Sequence, residues 1–224
     1  MPGDTGDTRP RLLLCSGGLD SIALLILQRR TGAALKALFF DYGQRNVEEE
    51  RAAARDFCAR EDVELFEADL SNAFPPSGLT SEAEAGFTYM KGKSRFFLPL
   101  RNGVFATLAV SWAMRHGCAA ILVGSVKADE THLDSGEPWM SQIRALITQG
   151  SAGRVGVEFP LAGWTKAQLI GALALEDAEA VLAGTYSCYH PRSSPKVRRF
   201  AWGEGCGSCL SCRGRRAALE GFKA

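Results

Sequence analysis

The chain has 224 residues, of which 46% are hydrophobic and 23% are charged, and its formal net charge is +1. This length and apolar content suffice for one large α/β domain with a small additional segment. The near-neutral charge gives no indication of a nucleic-acid or membrane partner, and no apolar run is long enough for a membrane span. The polar tail over residues 1–10 contains no signal-peptide core. We therefore expect a cytoplasmic protein whose seven cysteines are thiols or metal ligands.

The first predicted element is a buried strand that leads into a tight turn and a helix. The apolar run 12–14 ends in Ser-Gly-Gly at 16–18, and a second apolar run, 22–27, follows. Glycine lets the backbone bend sharply, and the first amides of a helix have no intrahelical partners, so the turn suits a pyrophosphate or polyphosphate group. The sequence matches neither the Walker nor the dinucleotide-binding pattern. The alternative is an ordinary connection capped by serine.

Strands and helices alternate through the next part of the chain. Residues 34–40 and 63–70 have the pattern of strands, and residues 46–61 have the pattern of a helix. This alternation predicts an α/β fold with a Rossmann-like, mostly parallel sheet and helices on both faces. Ligands bind such sheets at the carboxyl ends of the strands, where we expect the turn at 16–18 and the segment 41–45.

The segment 71–93 interrupts this alternation. It is rich in Pro, Gly, Ser and Glu, and it is longer than an ordinary connection. Two interpretations stay open, namely a mobile surface segment that acts as a lid and a disordered insertion without function.

The second half of the chain continues the alternating pattern. A strongly apolar helix is predicted over residues 103–116, and we expect it to be buried because it has little polar face. A strand is predicted at 119–124. A helix follows from about Pro138 to Gln149, with Pro138 suited to its first turn. A further helix is predicted near residues 166–169.

Four cysteines near the C-terminus have the spacing of a metal site. Cys206, Cys209 and Cys212 are separated by two residues each, which lets successive thiolates meet one ion, and Cys188 can complete a tetrahedron. Zn²⁺ is the natural occupant of four thiolates, and an iron–sulfur cluster is the chemical alternative. Closed tetrahedral coordination predicts a structural ion, since no position remains for a substrate.

Five blocks of this sequence together resemble the 7-cyano-7-deazaguanine synthase family, which belongs to the ATP-pyrophosphatase superfamily and acts in queuosine precursor biosynthesis. The blocks are Ser-Gly-Gly-Leu-Asp-Ser at 16–21, Asp-Tyr-Gly-Gln-Arg at 41–45, Pro-Leu-Arg-Asn at 99–102, Phe-Pro-Leu at 159–161 with Lys166, and Thr-Tyr-Ser-Cys-Tyr at 185–189 with the three later cysteines. The resemblance extends from about Leu12 to Phe222. It implies a Rossmann-like domain over 11–184, a zinc-binding segment over 185–224 and a homodimer.

The resemblance also implies an activity and its site residues. ATP would activate the carboxylate of 7-carboxy-7-deazaguanine as an adenylate, ammonia would displace AMP to give an amide, and a second activation would give the nitrile. The residues implied to bind ATP, with Mg²⁺, are Ser16, Gly17, Gly18, Leu19, Asp20, Ser21 and Arg45. The residues implied to be catalytic are Asp20, Arg101 and Lys166. The candidate cations Arg101, Lys166 and Arg45 would offset charge that accumulates on phosphate. The candidates for substrate binding are Asn102 and Trp139.

The chain departs from the family pattern in two places. Asn46 replaces the histidine of the family's Gln-Arg-His. The stretch 135–142 reads Ser-Gly-Glu-Pro-Trp-Met-Ser-Gln where the family has Gly-Tyr-Pro-Asp-Cys-Arg, and only Gly136 and Pro138 keep their places. Since the lost residues belong to the family's substrate side, the acceptor and the product stay open. One reading is an ordinary synthase that uses ammonia; the other is a divergent ligase of bacterial antiviral defence that uses another amine, such as one on a protein.

Two other function classes are also considered. One is a different adenylating enzyme of the superfamily, such as a tRNA-modifying enzyme, against which the near-neutral charge argues. The other is a non-catalytic nucleotide-binding module, against which the intact loop at 16–21 argues. Trp139 is expected either to stack on a flat deazapurine or to pack in the core. We expect neither a nucleic acid nor a membrane as a partner.

Overall fold

The computed structural model describes residues 8–83, 88–89, 91, 95–127 and 133–223. Five parallel strands form one sheet, and they are β1 (Arg11–Leu14), β2 (Leu35–Asp41), β3 (Glu64–Asp69), β4 (Ala120–Leu122) and β5 (Gly156–Glu158). Their order in the sheet is β3-β2-β1-β4-β5. A short antiparallel hairpin of β6 (Arg198–Phe200) and β7 (Gly203–Gly205) lies outside this sheet.

Seven helices accompany the sheet in the described part of the chain. They are α1 (Leu19–Arg30), α2 (Val47–Arg60), α3 (Arg101–Arg115), α4 (Glu137–Gly150), α5 (Lys166–Gly171), α6 (Leu175–Gly184) and α7 (Leu210–Lys223). None of the helices in the described ranges combines the length and the apolar composition that a membrane crossing requires.

The sheet is covered on both faces because successive side chains of a strand point to opposite sides. Leu13 of β1 belongs to an apolar cluster that includes residues of α1, α2, α5, α6 and α7, whereas the neighbouring Leu12 belongs to a second cluster with residues of α3 and α4. Phe39 and Phe40 of β2 divide in the same way. The predicted fold class, a Rossmann-like parallel sheet between two helical layers, is therefore confirmed.

One strand was not predicted, and one expectation about burial was wrong. The strand β5 was not anticipated, because three residues beside glycines are too few to produce a recognisable periodicity. The helix α3 is not fully buried, since Leu108 and Met114 are 40% and 43% exposed. The buried face of α3 consists of alanines. The larger apolar side chains on its other face stay partly exposed, because apolar residues also occur on protein surfaces.

The interrupting segment 71–93 is described only in part, and residues 84–87, 90 and 92–94 lie outside the described ranges. Within the described part, Leu79 is buried and packs with Tyr42 and Leu98. Its carbonyl accepts a hydrogen bond from the backbone N–H of Arg45 at 2.9 Å. This part of the segment is therefore attached to the protein, and its action as a lid stays a prediction.

The C-terminal segment packs into the main core. Cys188, Cys212 and Ala218 belong to the same apolar cluster as Leu13 of β1 and Ile22 of α1. The proposed boundary between 184 and 185 stays a prediction, but the packing shows that residues on both sides of it share one core.

The turn after β1 requires glycine at residue 17. Gly17 has φ +72°, and a Cβ there would lie 1.9 Å from the carbonyl oxygen of Glu50. Gly32 has a similar φ, +76°, but a Cβ there would meet no atom within 4 Å. Alanine at residue 32 would therefore incur only the cost of the left-handed backbone conformation, whereas alanine at residue 17 would also incur a steric clash.

We predict that Gly32→Ala lowers the free energy of unfolding by roughly 1–2 kcal/mol, the cost of a left-handed conformation for an L-residue. Gly17→Ala should lower it clearly more, because the backbone of α2 must also move. Urea unfolding followed by circular dichroism measures both changes. Equal losses for the two variants would contradict the close contact at Gly17.

Candidate functional site

A cavity of about 310 Å³ opens at the carboxyl ends of β1, β2 and β4. The strand order changes direction beside β1, since β2 lies on one side of it and β4 on the other. Such a switch point is where parallel α/β sheets bind ligands. The cavity walls come from the loop 15–21, the start of α2, the start of α3, Asp134 with Ser135, and the C-terminal segment.

The loop between β1 and α1 is held by its own serines. The hydroxyls of Ser16 and Ser21 lie 3.1 Å apart, and the Ser21 hydroxyl donates to the carbonyl of Gly18 at 3.1 Å. The N–H of Gly18 donates to the Ser16 hydroxyl at 3.3 Å. The N-cap residue of α1 is Gly18, which has no side chain with which to cap the helix, so the positive N-terminal end of α1 faces the cavity and can attract an anion.

Asp20 and Lys166 meet in the cavity although 146 positions separate them. Lys166 is the first residue of α5, where a capping box between Thr165 and Gln168 fixes the start of the helix. Its ammonium group pairs with Oδ2 of Asp20. The other carboxylate oxygen of Asp20 is buried and has no hydrogen-bond partner among the described residues. That oxygen is therefore suited to a ligand that brings positive charge or a hydrogen-bond donor.

Arg101 and Asn102 begin α3 on another wall of the cavity. Arg101 donates to the hydroxyl of Tyr42 at 3.4 Å, and its Nε is buried without a partner among the described residues. Burial lowers the pKa of Arg101, but Tyr42 and Asp134 raise it, and the net change is an increase that keeps the guanidinium charged. Asp134 fixes Asn102 by accepting its backbone N–H at 3.0 Å and, through the Asp134 carbonyl, its side-chain amide at 3.0 Å.

Three of the predicted site residues, Gly17, Arg45 and Trp139, do not line the cavity. Gly17 instead lies against the backbone of Glu50. Arg45 pairs with Glu82 and contacts Nδ1 of His190 at 3.2 Å. Trp139 is 8% exposed and packs edge-on against Phe159, with ring centroids 5.7 Å apart. Its position on the apolar face of α4 corresponds to the packing alternative, and Trp139 does not line this cavity.

Glu50 is a cavity residue that the sequence reasoning missed. Its carboxylate accepts hydrogen bonds from the side-chain amides of Gln44 at 3.2 Å and Asn46 at 2.9 Å. Burial raises the pKa of Glu50 from 4.5 to about 7, although both amide donors lower it. The sequence did contain an indication of this contact, because residues 46 and 50 are four positions apart at the start of a predicted helix and their side chains are therefore neighbours.

Arg215 was also missed, and it lies beneath the loop with 1% of its surface exposed. It donates to the carbonyls of Leu182 at 2.7 Å and Trp202 at 3.2 Å, and to the hydroxyls of Thr185 at 2.7 Å and Ser187 at 3.2 Å. Burial lowers the pKa of Arg215 to about 10, so the group stays a cation at neutral pH. Its position, three residues after Cys212, continues the spacing of the cysteines and could have identified it.

The four predicted metal-binding thiols come together. Their sulfur atoms all lie within 4.8 Å of one another, and those of Cys206 and Cys212 are 4.0 Å apart. Backbone N–H groups donate to three of the sulfurs, at 3.3–3.4 Å, which favours the charged thiolate. Closed geometry and soft ligands allow this cluster to bind a metal ion.

A family profile described as "Queuosine biosynthesis protein QueC" matches residues 11–223. The chain belongs to the QueC family. A protein of Paraburkholderia phytofirmans named 7-cyano-7-deazaguanine synthase is 31% identical over 232 residues, covering 96% of this chain and 93% of the relative. A protein of the same name from Campylobacter concisus is 29% identical over 221 residues, covering 94% of this chain and 92% of the relative.

These similarities confirm the predicted family and the predicted kind of enzyme, an ATP-dependent enzyme of the 7-cyano-7-deazaguanine synthase type. Among solved structures, a 4-thiouridine synthetase–RNA complex with bound ATP aligns with a TM-score of 0.48 and 17% identity. That alignment covers 96% of this chain and 54% of the other. An NMN synthetase from Francisella tularensis aligns with a TM-score of 0.44 and 14% identity, over 73% of this chain and 59% of the other. Similarity at this level carries no conclusion about activity.

The stretch 135–142, which is predicted from the sequence to depart from the family pattern, begins beside the cavity. Ser135 lines the cavity next to Asp134, and Glu137 begins α4 at the surface, where it pairs with Arg144 at 3.3 Å. The substituted stretch 135–142 therefore contributes one short edge of the wall and then turns into the helix. A change in this stretch can alter ligand recognition at that edge without changing the loop.

We predict that Glu50 makes stability depend on pH. Because its pKa is raised from 4.5 to about 7, the folded protein holds a proton that the unfolded chain has released, so stability falls as pH rises through this window. At about 1.4 kcal/mol per pKa unit, the loss is on the order of 3 kcal/mol. Urea unfolding of the natural protein and Glu50→Gln at pH 5 and pH 8 should show a smaller pH effect in the variant. The same pH effect in both proteins would contradict the raised pKa.

Proposed function

We propose that this protein uses ATP, with Mg²⁺, to adenylate the carboxylate of 7-carboxy-7-deazaguanine, and that an amine then displaces AMP. Membership of the QueC family and the name of the relatives support this substrate and reaction. The observation that carries the proposal is that the N-terminal end of α1, the Lys166–Asp20 pair and Arg101 lie around one cavity.

The proposed chemistry assigns a role to each charged group. A carboxylate oxygen of the substrate attacks the α-phosphorus of ATP, and the bond from that phosphorus to the bridging oxygen breaks, which leaves pyrophosphate at the loop. The first-turn amides of α1 and the ammonium of Lys166 stabilise the charge that develops on pyrophosphate. Arg101, on another wall, holds the anionic carboxylate or the α-phosphate. The amine then attacks the carbonyl carbon, loses a proton and expels AMP.

Mg²⁺ would be held by Asp20 together with the phosphates. Its buried Oδ1, which has no partner among the described residues, is a hard oxygen ligand of the kind that Mg²⁺ prefers. The ion would neutralise charge on the phosphate oxygens. Lys166 pairs with the other oxygen of the same carboxylate.

The fate of the activated carboxyl group distinguishes two candidate functions. An ordinary synthase would use ammonia and repeat the activation on the amide to give the nitrile. A divergent ligase of bacterial antiviral defence would transfer the group to another amine, such as one on a protein. The substituted stretch 135–142 favours the second candidate, because the second activation requires the amide to be bound again in the same pocket.

We predict that the protein releases AMP when incubated with ATP, Mg²⁺, 7-carboxy-7-deazaguanine and ammonium. Asp20→Ala should lower AMP formation by about 100-fold or more, since it removes the partner of Lys166 and the proposed Mg²⁺ ligand. Asp56→Ala, which changes an exposed aspartate paired with Arg60 outside the cavity, is the matched control. Unchanged AMP formation in Asp20→Ala would remove the loop from the mechanism.

Mass spectrometry of the same reaction separates the candidates. We expect weak nitrile formation, with the amide or an amine conjugate as the main product. Efficient conversion to the nitrile would identify an ordinary synthase, and the absence of AMP would contradict the proposed function.

We further propose that the thiol cluster holds one structural Zn²⁺. A tetrahedron with Zn–S bonds of about 2.3 Å has edges of about 3.8 Å, close to the 4.0 Å between two of these sulfurs. A homodimer and a cytoplasmic location are proposed on the family resemblance.

We predict about one zinc per chain by elemental analysis. Cys212→Ser should lose the metal and lower solubility, because metal binding is coupled to folding of this segment. Cys118→Ser, at a buried thiol outside the cluster, should keep the metal. Iron with sulfide, or no zinc, would contradict the assignment.

A further inference from the structure

Ser187 lies between the pyrophosphate loop and the C-terminal thiol cluster. Its hydroxyl oxygen accepts the backbone N–H of Leu19, the first residue of α1, at 3.4 Å. It also accepts an N–H of Arg215 at 3.2 Å. A serine hydroxyl has two lone pairs and one proton, so both acceptor positions are in use.

The remaining proton of Ser187 has no acceptor among the described residues, and Ser187 lines the cavity. Its neighbours Leu19 N–H and Arg215 are donors only, so the hydroxyl cannot reverse its role with either of them. A phosphate oxygen is an acceptor only, and it is the complementary partner for such a hydroxyl. The two hydrogen bonds that the Ser187 oxygen accepts also polarise the hydroxyl, which makes its O–H a better donor.

Arg215 fixes this arrangement. Its guanidinium is bound to the carbonyls of Leu182 and Trp202 and to the hydroxyl of Thr185, so it has a single orientation. The loop is close to Ser187, since a Cβ built on Gly18 would lie 3.6 Å from its hydroxyl oxygen. The hydroxyl is therefore directed by a rigid cation on one side and by the loop on the other.

We propose that Ser187 donates a hydrogen bond to the pyrophosphate part of bound ATP, as a phosphate-binding residue outside the loop, and that Arg215 positions it. This inference rests on the proposed function, because it assumes that the cavity binds ATP. The contact is lost when pyrophosphate leaves, so it discriminates ATP and pyrophosphate from AMP. It also connects the thiol segment to nucleotide binding, since Ser187 precedes Cys188 and Arg215 follows Cys212.

Calorimetric titration with inorganic pyrophosphate, and separately with AMP, tests the contact. Ser187→Ala should weaken pyrophosphate binding about tenfold or more, the usual effect of a hydrogen bond to a charged group. AMP binding and metal content should not change. Ser193→Ala, at an exposed serine of the same segment, is the matched control.

A pair of nearly isosteric variants tests the hydroxyl even if the alanine variant fails to fold. Ser187→Thr keeps the hydroxyl and should retain pyrophosphate affinity, whereas Ser187→Val should lose it. Equal pyrophosphate affinities in these two variants would overturn the proposal. A parallel loss of pyrophosphate, AMP and metal in Ser187→Val would also overturn it, because it would show a structural role.

The two proposals fail in different ways. If the natural protein binds pyrophosphate but forms no AMP from the deazaguanine acid, the proposed function fails while the contact of Ser187 can still be measured. If the natural protein forms AMP and Ser187→Val binds pyrophosphate normally, only the role of Ser187 fails.

Discussion

The close contact between Gly17 and the backbone of Glu50 is the constraint on which the site depends. The carbonyl oxygen of Glu50 occupies the space that a side chain at residue 17 would need. As a result, the first turn of α2 packs directly against the loop, and the Glu50 carboxyl reaches the cavity from behind it. Residue 17 leads directly into α1, whose N-terminal end contributes positive potential to the site. Because residue 17 has no Cβ, the backbone of α2 can lie against the loop that precedes α1.

Several groups at the candidate site lower the free energy of unfolding of the protein when no ligand is bound. Burial raises the pKa of Glu50, and Arg215 is a buried cation that donates its hydrogen bonds to carbonyls and hydroxyls. Buried atoms of Asp20 and Arg101 have no hydrogen-bond partner among the described residues. A buried polar atom without a partner costs about 1–3 kcal/mol. Such groups are concentrated at sites where a ligand supplies the missing hydrogen bonds or charge. Binding of nucleotide is therefore expected to raise the free energy of unfolding.

Local patterns in the sequence predicted those parts of the structure that depend on neighbouring residues. The strand–turn–helix around residues 16–18 and the cysteine spacing both follow from chemistry within a few positions. The pairing of Asp20 with Lys166 spans 146 positions and was accessible only through the family blocks. Glu50 and Arg215 were missed because each looks like an ordinary helix charge until the fold buries it. Trp139 was ambiguous for the opposite reason, since an aromatic residue suits a core and a ligand equally well.

The sheet order also has a consequence for synthesis of the protein. Strand β1, which carries the loop, pairs with β4, so that Arg11 lies opposite Ala120. Arg215 of α7, which comes last among the described elements, then supports the loop through Ser187, whose hydroxyl accepts hydrogen bonds from both Arg215 and the backbone N–H of Leu19. A nascent chain that ends before residue 215 would therefore present the loop without its supporting cation. Since chains grow at about 5–20 residues per second, the growing polypeptide passes many seconds with its nucleotide site unassembled, and ATP cannot guide the early stages of its folding.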